Sequence, residues 1–138
     1  MSFDLTPDDV NEMMAREFPS AYEHGHRCIE LGDGVAVSRW TFDEKKLRPG
    51  GYVPGPTLFG LADIALWFAA FTMIGMEPMA VTSEMSIRFL RPAQGGDVLA
   101  RATVNSVSRR RIVGTIEMWV DGEPDRLVAA AQGSYARP

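Results

Sequence analysis

The chain has 138 residues, a formal net charge of −4 and one cysteine. A chain of this length can bury one ordinary core without a disulfide or metal staple, so we predict a single domain over residues 1–138. Its acidic balance argues against a nucleic-acid partner, and its lone cysteine excludes an internal disulfide framework and fits a reducing compartment.

The amino terminus predicts a short helix within residues 1–19. Residues 1–5 lack a basic segment followed by an apolar run, so no secretory signal is expected and we predict a cytoplasmic protein. The motif Thr6-Pro7-Asp8-Asp9 supplies a hydroxyl N-cap, a proline at the first helical position and acids in the first turn. Apolar residues then recur at helical spacing, at Val10, Met13, Met14 and Phe18, until Pro19 ends the run.

Two strand-like segments follow, at about residues 21–31 and 35–42, and the turn residues Gly32-Asp33-Gly34 between them predict a hairpin. On a strand, His26 and Cys28 share one face, so the thiol is either a nucleophile activated by the imidazole or a buried, idle group. His24 and His26 also have a ligand-like spacing. Because no third or fourth ligand is apparent, we predict no metal site.

The middle of the chain predicts a loop and then a long core helix. Prolines and glycines leave residues 43–56 little chance of regular structure. The segment 56–75 is then apolar on almost every face, which is typical of a surrounded helix. Its apolar stretch is shorter than the roughly 20 residues of a membrane span and includes Asp63, so a core helix is favoured and no membrane partner is expected.

Asp63 is the best candidate for chemistry. A carboxylate on an otherwise apolar helix is at least partly desolvated, which is costly unless the group is paired, hydrogen-bonded or protonated. It can serve as a general base that activates water or as a nucleophile. The alternative is a structural carboxylate that bonds a nearby hydroxyl or backbone amide.

From residue 80 onward apolar residues recur at every second position, the period of a strand, in place of the helical period of 3.6. One strand places Val81, Ser83, Met85, Ile87 and Phe89 towards the helix and Thr82 away from it. Further strands at about 98–104, 112–120 and 126–136 follow short turns, which predict antiparallel neighbours. The whole pattern predicts an α+β fold in which an antiparallel sheet wraps around one long central helix. Apolar residues in the outer phase suggest that another subunit covers part of that face; they are Leu99, Val107, Val113 and Trp119.

Three segments carry a family resemblance: the run from Gly50 to Asp63, the run Ser83 to Pro92, and Gly96-Asp97. In these segments the chain resembles the hotdog-fold acyl-CoA thioesterases, and its nearest branch looks like the phenylacetate-degradation (PaaI-like) type. The resemblance implies a hotdog domain that hydrolyses an acyl-CoA to free acid and CoA without a cofactor. It assigns Asp63 as the carboxylate, the Gly55 amide as oxyanion donor and Thr82 as a hydroxyl from the next strand. The family's usual histidine and asparagine are replaced here by Pro54 and Arg48.

Gly55 and Asp63 lie eight positions apart, which is roughly 12 Å along a helix. One thioester carbonyl cannot easily contact both groups on one helix. If both act, the chain must form a homodimer, or a dimer of dimers, with active sites shared between subunits.

The remaining candidates concern substrate binding. Arg109 and Arg110 belong to a triple-arginine run that suits the phosphates of CoA; at most two of the three can serve one ligand, and a solvated turn is the alternative. Arg48, Tyr52, Pro54 and Trp67 complete the predicted set, although an ordinary core also uses such aromatic residues. The competing function is a non-catalytic hotdog module that binds an acyl group or acyl-CoA. A dehydratase or hydratase ranks lower because both histidines precede the central loop.

Overall fold

The computed structural model describes residues 4–138. The predictions made for the amino terminus lie outside the described residues where they concern residues 1–3. Three α-helices and six strands occur in these residues, with a short 3-10 turn at Glu44–Lys46. The helices are α1 Pro7–Glu17, α2 Pro19–His24 and α3 Gly55–Ile74. The strands are β1 His26–Gly32, β2 Val35–Trp40, β3 Val81–Phe89, β4 Val98–Val107, β5 Arg111–Val120 and β6 Leu127–Ala136.

Helix α1 begins as its sequence predicts. The Thr6 hydroxyl accepts from the Asp9 amide at 3.1 Å, and the Asp9 carboxylate accepts from the Thr6 amide at 3.0 Å. This reciprocal capping box satisfies two N–H groups that the first turn leaves unpaired. The helix buries Val10, Met13 and Met14.

The predicted strand over residues 21–31 is wrong at its start, because residues 19–24 form helix α2. Pro19 ends α1 but also opens α2, where its fixed φ and missing N–H are tolerated. Gly25 closes α2 in the left-handed region at φ 111°, and β1 begins at His26. A helix of six residues is too short to display a clear 3.6-residue period, so the sequence pattern did not reveal it.

The six strands form one antiparallel sheet in the order β1-β2-β4-β5-β6-β3, and α3 contacts all of them. This arrangement confirms the predicted α+β fold. Residues 64–72 of α3 are all buried against the sheet. By length and composition alone α3 is apolar enough to cross a membrane, yet most of it lies inside this core.

Strand β3 is not the neighbour of β4, so the four-stranded meander predicted from the turns is wrong in its first step. β3 pairs with β6 at one edge of the sheet, whereas β4 lies between β2 and β5. The connecting residues 90–97 instead bond elsewhere, since the Leu90 amide donates to Val128 and the Ala93 carbonyl accepts from Val53. A turn signal marks where a strand ends but does not determine which strand lies beside it.

Candidate active site

Asp63 lies at the boundary between a partly exposed first half of α3 and a buried second half. The residues that follow it are buried, but Pro56, Phe59, Gly60 and Asp63 are all at least partly exposed. Their spacing of three or four residues places them along one stripe of the helix. The carboxylate is therefore half-buried at the end of an open stripe, and it is the one acidic residue of α3.

Two hydroxyl groups hold the Asp63 carboxylate. The Thr82 hydroxyl donates to Oδ1 at 2.6 Å, and the Tyr135 hydroxyl donates to the same oxygen at 2.7 Å. Within residues 4–138 no group donates to Oδ2. The side chain is thus fixed through one oxygen, and its second oxygen is available to a water molecule or a substrate.

Tyr135 is the site residue that sequence reasoning missed. Its hydroxyl also lies 2.9 Å from the Asp63 carbonyl oxygen, but it has a single proton, and a charged acceptor makes the stronger bond. Burial and, next, the Asp63 charge raise the pKa of Tyr135 above its usual value, so the phenol remains a donor. The available signal was a tyrosine at an inward position of the last strand, where a buried O–H needs a partner.

Thr82 faces its own helix, so the prediction that it points away is wrong. The register of β3 on β6 shifts between Thr82 and Glu84, which leaves Ser83 as the extra residue of a β-bulge. Thr82 consequently pairs with Tyr135, and cross-strand partners present their side chains to the same face. A single inserted residue reversed the alternation on which the sequence prediction depended.

A second group of predicted residues meets at the start of α3, around a groove of about 660 Å³. Arg48 and Tyr52 are joined by an antiparallel bridge, and Gly55 stands in the first helical turn, where amides lack an intrahelical acceptor. Pro54 is the N-cap and makes no side-chain capping bond. The groove is lined by Arg48, Tyr52, Gly55, Leu58, Phe89 and Arg91, among others.

Phe89 packs closely on Gly55. A Cβ atom built on Gly55 would lie 3.4 Å from the edge of the Phe89 ring. Because glycine has no side chain, a narrow space beside the ring gives a ligand access to the Gly55 backbone. Phe89 and Arg91 were not predicted from the sequence as site residues. Their position beside the start of α3 depends on the path of residues 90–97, which connect β3 at one edge of the sheet to β4 in its interior.

Within one chain, the residues around Gly55 and those around Asp63 form two separate groups. Arg48, Tyr52 and Gly55 line the groove at the start of α3, whereas Thr82 and Tyr135 hold Asp63 about two turns further on.

The remaining predicted binding residues lie outside both groups. Trp67 is only 6 % exposed and packs edge-on against Phe18 with ring centroids 6.1 Å apart. Its indole N–H has no partner among the described residues. Arg109 and Arg110 are exposed in the turn between β4 and β5.

His26 and Cys28 do share a buried face of β1, as their spacing predicts. Burial, the largest effect, together with nearby positive groups lowers the pKa of His26 to about 4, so its imidazole is neutral near pH 7. Burial raises the pKa of the Cys28 thiol to about 12. A thiol that stays protonated is a poor nucleophile, so the idle-thiol alternative fits the structure.

Known proteins resemble this chain in sequence and architecture. The family model described as the thioesterase superfamily matches residues 50–126, which is more than half of the chain. The chain belongs to the thioesterase superfamily. A protein of Saccharolobus solfataricus named "putative esterase" is 30 % identical over 131 residues, covering 95 % of this chain and 85 % of the relative.

Two solved structures extend the likeness of this thioesterase. The Escherichia coli PaaI protein from the phenylacetic acid degradation operon is 28 % identical, with a TM-score of 0.79 over 92 % of this chain and 89 % of that one. A protein of Silicibacter sp. TM1040 described as a "putative thioesterase" is also 28 % identical, with a TM-score of 0.88 over 100 % of this chain and 95 % of that one. These likenesses confirm the PaaI-like hotdog assignment, and the protein is a thioester hydrolase.

Proposed function

We propose that this thioesterase hydrolyses acyl-CoA thioesters to the free acid and CoA, with Asp63 as its catalytic carboxylate. The observation that carries the proposal is the fixing of Oδ1 by the hydroxyls of Thr82 and Tyr135, which leaves Oδ2 available. A purely structural carboxylate gains from bonds to both oxygens, whereas a reactive one needs a free oxygen in a defined orientation.

The reaction follows from this geometry. As a general base, Oδ2 removes a proton from a water molecule whose oxygen attacks the thioester carbon. The tetrahedral oxyanion then collapses, the C–S bond breaks, and the CoA thiolate takes up the proton held by Asp63. As a nucleophile, Oδ2 instead attacks the carbon, the C–S bond breaks, and the CoA thiolate leaves and takes up a proton from water. Water then hydrolyses the resulting mixed anhydride, which releases the free acid and restores the Asp63 carboxylate. No cofactor is needed on either route.

The Gly55 amide is the proposed oxyanion donor. Amides in the first turn of a helix point at the place where negative charge develops, and the helix dipole favours that charge. Because Gly55 and Asp63 of one helix are roughly 12 Å apart, Asp63 works with Gly55 of the partner subunit. Each dimer then has two equivalent sites.

Edge strand β3 supports this shared site. It pairs with β6 on one side, and among the described residues no strand pairs with its other side. Large apolar side chains along it are exposed, including Val81 at 58 % and Phe89 at 52 %. An exposed, apolar edge strand invites pairing with a second chain, and here it borders both Asp63 and the Gly55 groove. A dimer, or a dimer of dimers through the outer sheet face, is the expected assembly.

Substrate contacts are proposed on both sides of this interface. Arg48, Tyr52 and Pro54 border the start of α3, Trp67 supports the helix one turn beyond Asp63, and the arginine turn at 109–110 suits the phosphates of CoA. The acidic, single-cysteine composition supports a cytoplasmic location.

The deciding experiment offers the purified protein a panel of acyl-CoAs while free thiol is measured. We expect hydrolysis by the native protein and a fall in kcat of roughly 10²- to 10⁴-fold in Asp63→Asn, the usual contribution of a general acid–base group. Asp125→Asn, in an exposed turn, is the matched control and should keep native activity. Equal thiol release by Asp63→Asn would remove Asp63 from the mechanism.

A non-catalytic acyl or acyl-CoA binding module is the second candidate, and Pro54 favours it. This residue stands where the family usually has a histidine, and it offers no side-chain hydrogen bond at the helix start. Acyl-CoA binding measured by calorimetry, without thiol release from any member of the panel, would support the binding module over the hydrolase.

A further inference from the structure

The turn between β4 and β5 and the residues after β6 bring two arginines opposite each other. The Arg137 amide donates to the Arg110 carbonyl at 2.9 Å, which extends the β5–β6 ladder by one step beyond the strands. The Arg137 guanidinium also donates to the Ser108 carbonyl at 3.0 Å, so it is held over the turn. Arg110 and Arg137 are both exposed.

Strand alternation assigns these two arginines to the same face as the Asp63 site. Ile112 pairs with Tyr135, both are buried, and the Tyr135 hydroxyl reaches Asp63. One residue outward, Arg111 pairs with Ala136 and its side chain takes the opposite, exposed face. Arg110 and Arg137 lie one residue beyond the strands and are joined by their backbone bond. Continued alternation assigns them to the face of α3, with Arg137 roughly 6.6 Å along the chain from Tyr135.

In the described part of the chain these guanidinium groups have no anionic partner. Within residues 4–138, neither Arg110 nor Arg137 lies within salt-bridge distance of a carboxylate, although the chain carries a net charge of −4. Arg39 shows the contrasting arrangement, because it pairs with Asp97 at 2.7 Å and with Asp121 at 3.1 Å. Two unpaired cations on hydrogen-bonded backbone neighbours repel each other, and a multivalent anion bound by both would remove that repulsion.

We propose that Arg110 and Arg137 together bind the phosphate groups of the CoA moiety, so that Arg137 is a substrate-binding residue and Arg111 is not. The inference rests on the proposed acyl-CoA hydrolase function and identifies which end of the substrate lies at this turn. Arginine is suited to this ligand because its planar fork of N–H donors bonds phosphate oxygens in pairs. In an acyl-CoA the phosphates are distant from the thioester. A phosphate site at Arg110 and Arg137, near Tyr135 but not in contact with Asp63, fits this separation.

The first test compares an acyl-CoA with the same acyl group on pantetheine, which lacks the phosphates. Arg110→Gln and Arg137→Gln should each raise KM for the acyl-CoA about 10-fold, the loss of one charge-assisted bond, and leave kcat and the KM for acyl-pantetheine unchanged. Arg111→Gln, the neighbour on the opposite face, should behave as the native protein. An equal rise for both substrates, an equal effect of Arg111→Gln, or no effect would overturn the proposal.

Binding of free CoA, followed by calorimetry, tests the same site without any hydrolysis. Arg110→Gln and Arg137→Gln should weaken CoA binding about 10-fold relative to Arg111→Gln. This loss in a protein that hydrolyses no thioester would refute the proposed function and support the arginine site. Hydrolysis with CoA binding unaffected by both variants would refute the arginine site alone.

Discussion

The Tyr135 hydroxyl donates to Oδ1 of Asp63 at 2.7 Å, although the two residues are 72 positions apart. The contact exists because β6 runs beneath the middle of α3 and turns Tyr135 inward. Tyr135 orients the carboxylate from the sheet, and Thr82, its partner on β3, does the same from the adjacent strand. The orientation of the proposed catalytic group therefore depends on the pairing of two strands.

Tyr135→Phe tests this orientation. The substitution keeps the ring in the core and removes one of two donors to Asp63, so we expect kcat to fall about 10- to 100-fold with little change in KM, as for a lost bond to a charged group. Steady-state kinetics on an acyl-CoA measure the effect. Tyr22→Phe, whose ring lies under Arg27 away from the site, is the control. Native kcat in Tyr135→Phe would show that Thr82 alone suffices.

Two inactive variants should restore activity to each other if sites are shared. Gly55→Pro removes the proposed oxyanion amide, and proline is accepted at the first position of a helix. When Asp63→Asn and Gly55→Pro chains are co-expressed in equal amounts, half of the dimers contain one of each and carry one intact site. About one quarter of native activity should then return in a two-fold symmetric dimer.

The control for that experiment is each variant mixed with itself, which should stay inactive. A mixture as inactive as its parents, in material shown by sedimentation to contain mixed dimers, would place Gly55 and Asp63 in one chain or exclude Gly55. A strictly monomeric native protein would equally contradict shared sites.

Cys28 should not react in the folded protein. Because burial raises its pKa to about 12, almost no thiolate is present near pH 8. A thiol reagent should detect no cysteine in the native state and one per chain in denaturant. Rapid native-state labelling with loss of hydrolysis would instead restore the His26–Cys28 pair as a candidate nucleophile.

His26 should make the fold sensitive to acid. Its pKa is depressed from 6.5 to about 4 in the folded state, so its contribution to stability is complete above pH 6.5 and is lost as the pH falls through about 4. The shift corresponds to roughly 3 kcal/mol of unfolding free energy. Urea unfolding at several pH values should show this fall in the native protein, and His26→Phe should lack that part of it. An identical pH dependence in both proteins would contradict the prediction.

The long helix and the sheet were predictable from sequence because their patterns are strong and local. Residues 64–71 of α3 are apolar and are all buried, and the inward positions of β5, from Ile112 to Val120, alternate as expected. The Asp63 carboxylate was detectable for the same reason, as a charge in an apolar run. These features require no knowledge of which elements are neighbours.

The features that the sequence did not predict depend on pairing between segments that are distant along the chain. The place of β3 beside β6, the bulge at Ser83 and the contact between Tyr135 and Asp63 all follow from register between distant segments. Helix α2 was missed for a different reason, because six residues are too few to show the 3.6-residue period of a helix. Sequence pattern therefore found the carboxylate but missed the hydroxyl from β6 that orients it.

The bulge at Ser83 separates the position of the site hydroxyl in the sequence from its position on the sheet. Removal of this one residue would make the ladder between β3 and β6 regular, because Thr82 and Glu84 already pair with the adjacent residues Tyr135 and Ser134. Thr82 would then still face Asp63. Relatives with one residue fewer between Thr82 and Glu84 would therefore present the same hydroxyl to their carboxylate from a regular strand, a difference visible only in the alignment gap.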